Sequence, residues 1–314
     1  MSNPQEVHVF VPATVANVAC GFDILGFAVS RPGDEVIARL CDKPGVHIKS
    51  ITGDGGRLPL DVARNTAAVS ALEFLKHIKA DKGVELEIIK KMPLGSGLGS
   101  SAASAAAGVY AANLLFGSPL EARELVAFAM AGEKAACGTA HADNVGPALL
   151  GGFVLIRSYD PLDIVSIPAP PSLFCTILNP HLEVRTEDAR RILRKDISLK
   201  NAITQWGNIA GLIAGLLKND IELIGRSMQD VVIEPERALL IPGFSGIKQA
   251  AIAAGALGCS ISGSGPSIFA LSVSVESANR ISEAMKEETD RLGISSDTYI
   301  SPINLDGPVI LSKR

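Results

Sequence analysis

The chain has 314 residues, of which 47% are hydrophobic, so it can bury one large core or two ordinary ones. Its 29 basic and 33 acidic residues give a formal net charge of −4 and are mixed along the sequence. This pattern argues against a nucleic-acid or anionic-membrane partner and favours a small molecule. The amino terminus has no basic segment followed by an apolar stretch, so we expect no secretory signal and a cytoplasmic location.

The five cysteines are odd in number and far apart, with no Cys-x-x-Cys pair and no histidine at metal-ligand spacing. We therefore expect them to be reduced and mostly buried, as free cysteines usually are. They are Cys20, Cys41, Cys137, Cys175 and Cys259.

Hydrophobic periodicity predicts a mixture of strands and helices in the first half. The first strand is expected to end at Pro12, in a loop that continues through Gly21. A strand, a glycine-rich loop and a helix then follow one another between residues 84 and 116. Strands are predicted at residues 7–11, 36–40, 46–51, 84–89 and 151–156, and helices at residues 65–78, 101–116 and 120–136.

The second half has the same mixed character. Strands separated by single helices predict an α+β domain. Prolines between residues 161 and 171 mark the expected boundary, which gives domains at residues 1–165 and 166–314. Strands are predicted at residues 174–178, 259–261, 267–271 and 298–303, and helices at residues 186–193, 203–217, 221–228, 246–256 and 276–292.

Residues 92–120 contain no charged side chain, which raises the question of a membrane helix. Their first third is rich in glycine and serine, so the helix covers only residues 101–116. That length spans about 24 Å, short of the roughly 30 Å of bilayer hydrocarbon, and much of it is alanine. A buried helix that packs closely through small side chains is the better interpretation.

Residues 93–101, Pro-Leu-Gly-Ser-Gly-Leu-Gly-Ser-Ser, lie between a predicted strand and this helix. Alternate glycines allow a tight turn, and the helix start adds unpaired N–H donors and a partial positive charge. Both features suit a phosphate group. The loop is not a Walker A loop, because no Gly-Lys-Ser/Thr closes it, and it is not a dinucleotide fingerprint. The alternative is a tight connection that only brings the helix onto the sheet.

Three segments together resemble the motifs of the GHMP kinases, a family of small-molecule kinases. Residues 11–17 with Gly21-Phe22-Asp23 resemble the first motif, residues 93–104 the second and residues 260–267 the third. They occur in the family's order over nearly the whole chain. The resemblance implies an α+β fold of two domains, with a ribosomal-S5-like amino-terminal domain, a ferredoxin-like carboxy-terminal domain and ATP bound between them.

The resemblance also implies which residues bind the nucleotide. Ser101 would share a Mg²⁺ ion with Glu133, and both would be catalytic. Arg64, Lys90 and Lys91 are further neighbours suggested only by their position. The implied ATP-binding residues are Asn65, Pro93, Leu94, Gly95, Ser96, Gly97, Leu98, Gly99, Ser100, Ser101, Ala102 and Ala103.

Residues 141–148, His-Ala-Asp-Asn-Val-Gly-Pro-Ala, resemble the homoserine kinases within this family. This implies ATP-dependent phosphorylation of the hydroxyl of L-homoserine, a step of threonine biosynthesis, with His141 and Asn144 orienting that hydroxyl. Asp143 is one candidate proton acceptor. In the alternative, the hydroxyl loses its proton directly to the phosphate and Asn144 only positions it.

L-Homoserine is a zwitterion, so its site should offer guanidinium groups to the carboxylate and oxygen atoms to the ammonium group. By the resemblance, Thr186, Arg190 and Arg237 would meet the carboxylate. Asn17 and Asp23 would meet the ammonium group. The substrate-binding set is completed by Ser262 and Gly263 of the third motif.

The chain departs from the family at Ala19-Cys20, where relatives commonly have Gly-Pro, which puts the geometry of this loop in question. Two other functions are compatible with these motifs. One is a GHMP kinase for mevalonate or a sugar, and the other is a non-catalytic nucleotide sensor. Relatives make a homodimer plausible, but no sequence feature marks its interface.

Overall fold

The computed structural model describes residues 3–138 and 141–314, apart from the side chains of residues 136 and 137. Short 3₁₀ turns cover Val62–Arg64 and Ala238–Leu240. The strands are β1 (Glu6–Ala16), β2 (Leu25–Cys41), β3 (Gly45–Thr52), β4 (Gly83–Ile89), β5 (Phe153–Tyr159), β6 (Leu162–Ile167), β7 (Phe174–Pro180), β8 (Gly258–Ile261), β9 (Ile268–Ser272), β10 (Ser296–Pro302) and β11 (Val309–Lys313). The helices are α1 (Thr66–His77), α2 (Ser100–Leu115), α3 (Ala122–Cys137), α4 (Ala142–Leu150), α5 (Thr186–Arg191), α6 (Leu199–Lys218), α7 (Ile221–Ser227), α8 (Glu234–Arg237), α9 (Phe244–Ala253) and α10 (Val275–Arg291).

The first sheet has the strand order β11-β1-β2-β4-β3, and β5 pairs with both β2 and β6. Strands β3 and β4 are parallel, whereas the other pairs are antiparallel. Helices α1 to α4 pack on one another, and α2 and α4 also contact β1 and β2. This arrangement brings the amino-terminal ends of α2 and α4 close to the loop that follows β1.

The second sheet is antiparallel, in the order β10-β7-β9-β8, and α10 packs on it together with α9. The rings of Phe27 in β2 and Phe269 in β9 lie 5.8 Å apart, so the two sheets share one buried core. The predicted α+β fold is confirmed, and it contains two sheets. The predicted boundary between residues 165 and 166 falls inside β6, and β11 belongs to the first sheet. The division into residues 1–165 and 166–314 stays a prediction.

The uncharged segment forms a buried helix that packs through small side chains, as predicted. A Cβ atom at Gly108 in α2 would lie 2.2 Å from the carbonyl oxygen of Ala67 in α1, so only glycine allows this approach. Most alanines of α2 are fully buried. In the described part of the chain, no helix combines the length and the apolar character that a membrane span requires.

The prediction that the first strand ends at Pro12 was wrong. Strand β1 continues to Ala16, with a shift of its register on β2 between Pro12 and Thr14. An irregularity of this kind lets a strand pass a residue that has no N–H to donate. The longer strand carries Thr14 to the glycine-rich loop, where its N–H donates to the Leu98 carbonyl, and carries Ala16 to Gly263.

Helices α4 and α8 and strands β6 and β11 were also not predicted. Helix α4 contains Pro147, which normally indicates the end of a helix, and it begins after His141. Strand β6 follows Pro161, which had been interpreted as part of a linker. Helix α4 matters most, because it places Asp143 and Asn144 in its first turn.

The described cysteines are free, as expected. Cys20, Cys175 and Cys259 are buried, and Cys41 is partly buried. The side chain of Cys137 lies outside the described residues.

Candidate active site

The three motif segments contact one another although they lie far apart in the sequence. The Ser262 hydroxyl donates a hydrogen bond to the Gly97 carbonyl oxygen at 2.7 Å, and the Ser267 N–H donates to the Ser96 carbonyl at 3.1 Å. The Gly263 N–H donates to the Ala16 carbonyl at 3.2 Å. The third motif therefore fastens the glycine-rich loop to the end of β1.

A cavity of about 550 Å³ lies where these segments meet. The predicted site residues line it, with the exceptions of Pro93, Leu98, Ala103 and Ser262. Leu98 and Ala103 are fully buried in the core. Ser262 is also buried, and its hydroxyl is used to hold the glycine-rich loop, so its position suits a structural contact better than a substrate contact.

The glycine-rich loop has the tight backbone that the sequence suggested. Gly95, Gly97 and Gly99 have φ values of 69°, 80° and 68°, in the left-handed region that favours glycine. A Cβ atom at Gly97 would lie 2.5 Å from the carbonyl oxygen of Ser262. Gly99 is the N-cap of α2 and offers no side chain to its first N–H groups. These donors border the cavity, where an anion would be stabilised.

A buried ion pair lies beneath this loop. The Lys90 ammonium group contacts the Asp34 carboxylate, and each side chain is only 1% exposed. Lys90 also donates to the Ser100 carbonyl oxygen at 2.8 Å and to the Ser104 hydroxyl at 2.7 Å. All three donors of the ammonium group are thus used within the protein. Lys90 borders the cavity, as suggested, but its contacts are to the start of α2.

Asp34 also holds the glycine-rich loop in place. Its carboxylate accepts hydrogen bonds from the Lys91 N–H at 2.7 Å, the Met92 N–H at 3.0 Å and the Ser100 hydroxyl at 2.9 Å. One side chain of β2 therefore fixes both ends of the glycine-rich loop. Burial lowers the pKa of Lys90, and the Asp34 carboxylate opposes that effect. Lys91 itself points elsewhere, to Glu35.

Ser101 and Glu133 face each other at the edge of the cavity. The Ser101 hydroxyl donates to the Glu133 carboxylate at 2.5 Å. Burial raises the pKa of Glu133, while the hydrogen bond from Ser101 and the charge of Lys90 act in the opposite direction. A buried carboxylate beside a hydroxyl provides the hard oxygen ligands that Mg²⁺ takes.

Charged groups of opposite sign form another part of the cavity wall. The Arg190 guanidinium donates to both oxygens of the Asp23 carboxylate, at 2.7 and 2.9 Å. The Arg237 guanidinium donates to the Gly263 carbonyl at 2.7 Å. Both guanidinium groups lie over the ring of Phe22, at 5.5 Å for Arg190 and 4.9 Å for Arg237. Burial lowers the pKa of Arg237 to about 10, so it stays charged at neutral pH.

Asn17 holds this charged region in place. Its amide nitrogen donates to the Gly263 carbonyl at 2.8 Å, and its amide oxygen accepts from the Asp23 N–H at 3.1 Å. Thr186 lines the same wall, with its hydroxyl 3.4 Å from the Ser264 hydroxyl. Asn17 therefore joins the first motif to the third.

Residues at the start of α4 lie between the glycine-rich loop and the charged groups. His141 Nδ1 lies 3.2 Å from Arg190, and burial together with that cation lowers the pKa of His141. Asp143 is fully buried, and its Oδ1 has no hydrogen-bond partner in the described chain. Burial, reinforced by the Asp23 carboxylate, raises the pKa of Asp143 to about 7. The Asn144 amide oxygen accepts a hydrogen bond from the Thr14 hydroxyl at 2.9 Å.

Sequence reasoning missed Asp34, Thr14 and Gln205. The Gln205 amide nitrogen donates to the Cys20 carbonyl at 3.0 Å and to Asp230 at 2.9 Å. It therefore fixes the loop in which Ala19-Cys20 departs from the family pattern. None of the three carried a usable signal. Asp34 lies inside β2 but before the strand predicted at residues 36–40, so nothing in the sequence marked it as a buried charge in a strand.

Comparisons with known proteins agree with this geometry. The family model for the GHMP kinase N-terminal domain matches residues 65–152, and that for the GHMP kinase C-terminal domain matches residues 212–290. A homoserine kinase of Chlorobium phaeobacteroides is 54% identical, with 96% of this chain and 98% of the relative covered. The homoserine kinase of Xylella fastidiosa is 39% identical, with 98% and 94% covered.

A solved structure gives the same result for the fold. The crystal structure of a homoserine kinase from Cytophaga hutchinsonii has a TM-score of 0.97 and 60% sequence identity, with 99% of each chain covered. The similarity therefore extends over both sheets and all three motifs. The chain belongs to the GHMP kinase family and, within it, to the homoserine kinases.

Proposed function

We propose that this enzyme transfers the γ-phosphoryl group of ATP to the side-chain hydroxyl of L-homoserine, giving O-phospho-L-homoserine and ADP in threonine biosynthesis. One observation carries the proposal. A single cavity is lined by the glycine-rich loop, by the opposite charges of Asp23 and Arg190, and by Asn144. A nucleotide phosphate suits the first of these, and an amino acid suits the second.

The charged wall favours an amino acid over the other acceptors of the family. Homoserine brings an ammonium group for Asp23 and a carboxylate for Arg190 and Arg237, so it replaces one internal ion pair with two. Mevalonate has no ammonium group, and a sugar has neither charge. Mevalonate would take the guanidinium groups and leave Asp23 without a charged partner, and a sugar would gain no charge-assisted contact from the intact Asp23–Arg190 pair.

Ser101 and Glu133 would hold Mg²⁺. Among the described residues no three His, Cys, Asp or Glu side chains converge on a metal position. This suits Mg²⁺, which commonly takes one or two protein oxygens and completes its coordination with phosphate and water. When bound, it would neutralise charge on the ATP phosphates.

We infer an in-line transfer within a ternary complex. The homoserine oxygen forms a bond to the γ-phosphorus while the bond between that phosphorus and the bridging oxygen of ADP breaks. The N–H donors of the glycine-rich loop stabilise the phosphate charge, and the start of α4 orients the hydroxyl. The hydroxyl proton passes either to Asp143 or to an oxygen of the transferred phosphoryl group.

An activity profile against pH separates these two routes. A pKa of about 7 for Asp143 means that a base at this position gains activity as the pH rises through 7. If Asp143 is the acceptor, Asp143→Asn should remove this rise and lower kcat about 10²-fold or more. If the phosphate takes the proton, the variant should keep most of its turnover at pH 8.

The identity of the phosphoryl acceptor is tested by an assay that couples ADP release to a dye in the presence of ATP and Mg²⁺. The acceptors compared are L-homoserine, mevalonate, galactose, L-serine and L-threonine. The proposal predicts turnover selective for L-homoserine. Folded protein that binds ATP but shows no homoserine-dependent release would favour another acceptor or a nucleotide sensor. A homodimer and a cytoplasmic location stay predictions.

A further inference from the structure

Thr14 occupies the junction between β1, the glycine-rich loop and the start of α4. Its N–H donates to the Leu98 carbonyl at 3.1 Å, and its hydroxyl donates to the Asn144 amide oxygen at 2.9 Å. The residue is fully buried. A Cβ atom at Gly99 would lie 2.0 Å from the Thr14 hydroxyl oxygen and 3.0 Å from the Asn144 amide oxygen. The loop, the hydroxyl and the amide therefore pack in direct contact.

This contact places the oxygen of the Asn144 amide against Thr14. The amide oxygen is used by Thr14, whereas the amide nitrogen has no hydrogen-bond partner among residues 3–138 and 141–314. Asn144 lines the cavity and is only partly buried. The group offered to an acceptor molecule is therefore the NH₂ group, which donates hydrogen bonds and cannot take a proton from a hydroxyl.

We propose that Thr14 is a positioning residue, whose buried hydroxyl holds the Asn144 amide so that its N–H groups face the oxygen of the acceptor alcohol. The inference rests on the proposed function, because it assigns Asn144 to that oxygen. Without the Thr14 hydroxyl the amide loses the hydrogen bond that anchors its oxygen and can turn away from this orientation. The hydroxyl of the acceptor molecule would then no longer receive a hydrogen bond from the amide nitrogen, which misaligns its oxygen for attack.

The same contact links the acceptor to the nucleotide. Thr14 holds the loop through the Leu98 carbonyl and holds Asn144 through its hydroxyl, so one residue fixes both reacting partners relative to each other. The predicted effect falls on turnover rather than on binding, because neither ATP nor homoserine needs to contact Thr14.

The test compares Thr14→Val, which removes the hydroxyl at similar volume, with Thr14→Ser, which keeps it. The matched control is Thr176→Val. Thr176 is likewise fully buried and donates to the Ala278 carbonyl at 3.1 Å, but it lies in the second sheet, outside the cavity. Both valine variants lose one buried hydrogen bond, so their losses of thermal stability should be similar.

We expect Thr14→Val to lower kcat about tenfold while KM for ATP and for L-homoserine stays within about twofold. Thr14→Ser and Thr176→Val should keep kcat within about twofold of the wild type. In an Asn144→Ala background, Thr14→Val should cause no further loss, because the group that Thr14 positions is gone.

An unchanged kcat in Thr14→Val would overturn the inference, and so would an equal loss of kcat with and without Asn144. If Thr14→Val does not fold, the serine variant decides. A serine variant that folds but loses turnover as severely as Asn144→Ala would contradict a role for the hydroxyl. Wild-type protein that does not turn over L-homoserine would instead remove the proposed function, and this inference with it.

Discussion

Replacing Asp143 with asparagine should stabilise the protein, and increasingly so as the pH rises. Asp143 is fully buried and one of its oxygens has no hydrogen-bond partner in the described chain. Its pKa rises from 3.8 to about 7, chiefly because burial penalises the charged form. That difference corresponds to about 4 kcal/mol in favour of the protonated carboxyl in the folded state.

The direction in which stability changes with pH follows from proton binding. Between pH 3.8 and 7 the folded protein keeps the proton of Asp143 while the unfolded chain loses it, so the free energy of unfolding falls as the pH rises. The full contribution of this carboxyl is present below pH 3.8 and is lost by the time the pH passes 7. Asparagine has the same shape and does not titrate. The variant's advantage should therefore grow by about 2–3 kcal/mol between pH 5 and pH 8.

Urea unfolding of both proteins at pH 5 and pH 8, followed by circular dichroism, measures this difference. The difference in free energy of unfolding between variant and wild type is compared at the two pH values. Groups that the substitution does not affect titrate alike in both proteins, so their contributions cancel. A constant difference between variant and wild type would refute the reasoning, because it would mean that Asp143 does not titrate in this range. If the extra stability of the variant instead decreased toward pH 8, folding would have to lower the pKa of Asp143 rather than raise it.

Three further substitutions test other parts of the site. Arg190→Ala should raise KM for L-homoserine about 10–100-fold by removing a charge-assisted contact, while the same change at the exposed neighbour Arg191, which pairs with Asp188, should leave kinetics unchanged. Glu133→Gln should lower kcat and raise the Mg²⁺ concentration needed for half-maximal activity at least about tenfold, and a normal Mg²⁺ titration would remove it from the metal site. Asp34→Asn should lower the free energy of unfolding by about 3–5 kcal/mol, because Lys90 would remain buried without its counter-charge, and a small loss in urea titrations would contradict this.

Patterns of residues along the chain predicted most of the architecture. The strand before the glycine-rich loop, the loop and the alanine-rich helix were all predicted, because hydrophobic periodicity and glycine punctuation are local signals. Pro12 misled the prediction of the first strand, because β1 continues past it with a register shift on β2. Helix α4, which accommodates Pro147, was not predicted. Sequence rules that consider only neighbouring residues do not include such tertiary effects.

The candidate site was likewise predicted only in part. Residues that offer chemistry to a ligand, such as Asp23, Arg190 and Glu133, were found through the resemblance to the family, and they line one cavity. Residues that hold those groups in place were missed. Thr14 and Asp34 act through partners 130 and 66 positions away along the chain, Asn144 and Ser100, and no periodicity encodes such a pairing.

Phosphoryl transfer to L-homoserine can be observed by phosphorus NMR of ATP and L-homoserine incubated with the purified protein and Mg²⁺. We expect a new phosphomonoester signal that grows in step with ADP and requires L-homoserine, and mass spectrometry of the product should give the mass of O-phospho-L-homoserine. ADP accompanied only by inorganic phosphate, or formed at the same rate without L-homoserine, would contradict this transfer.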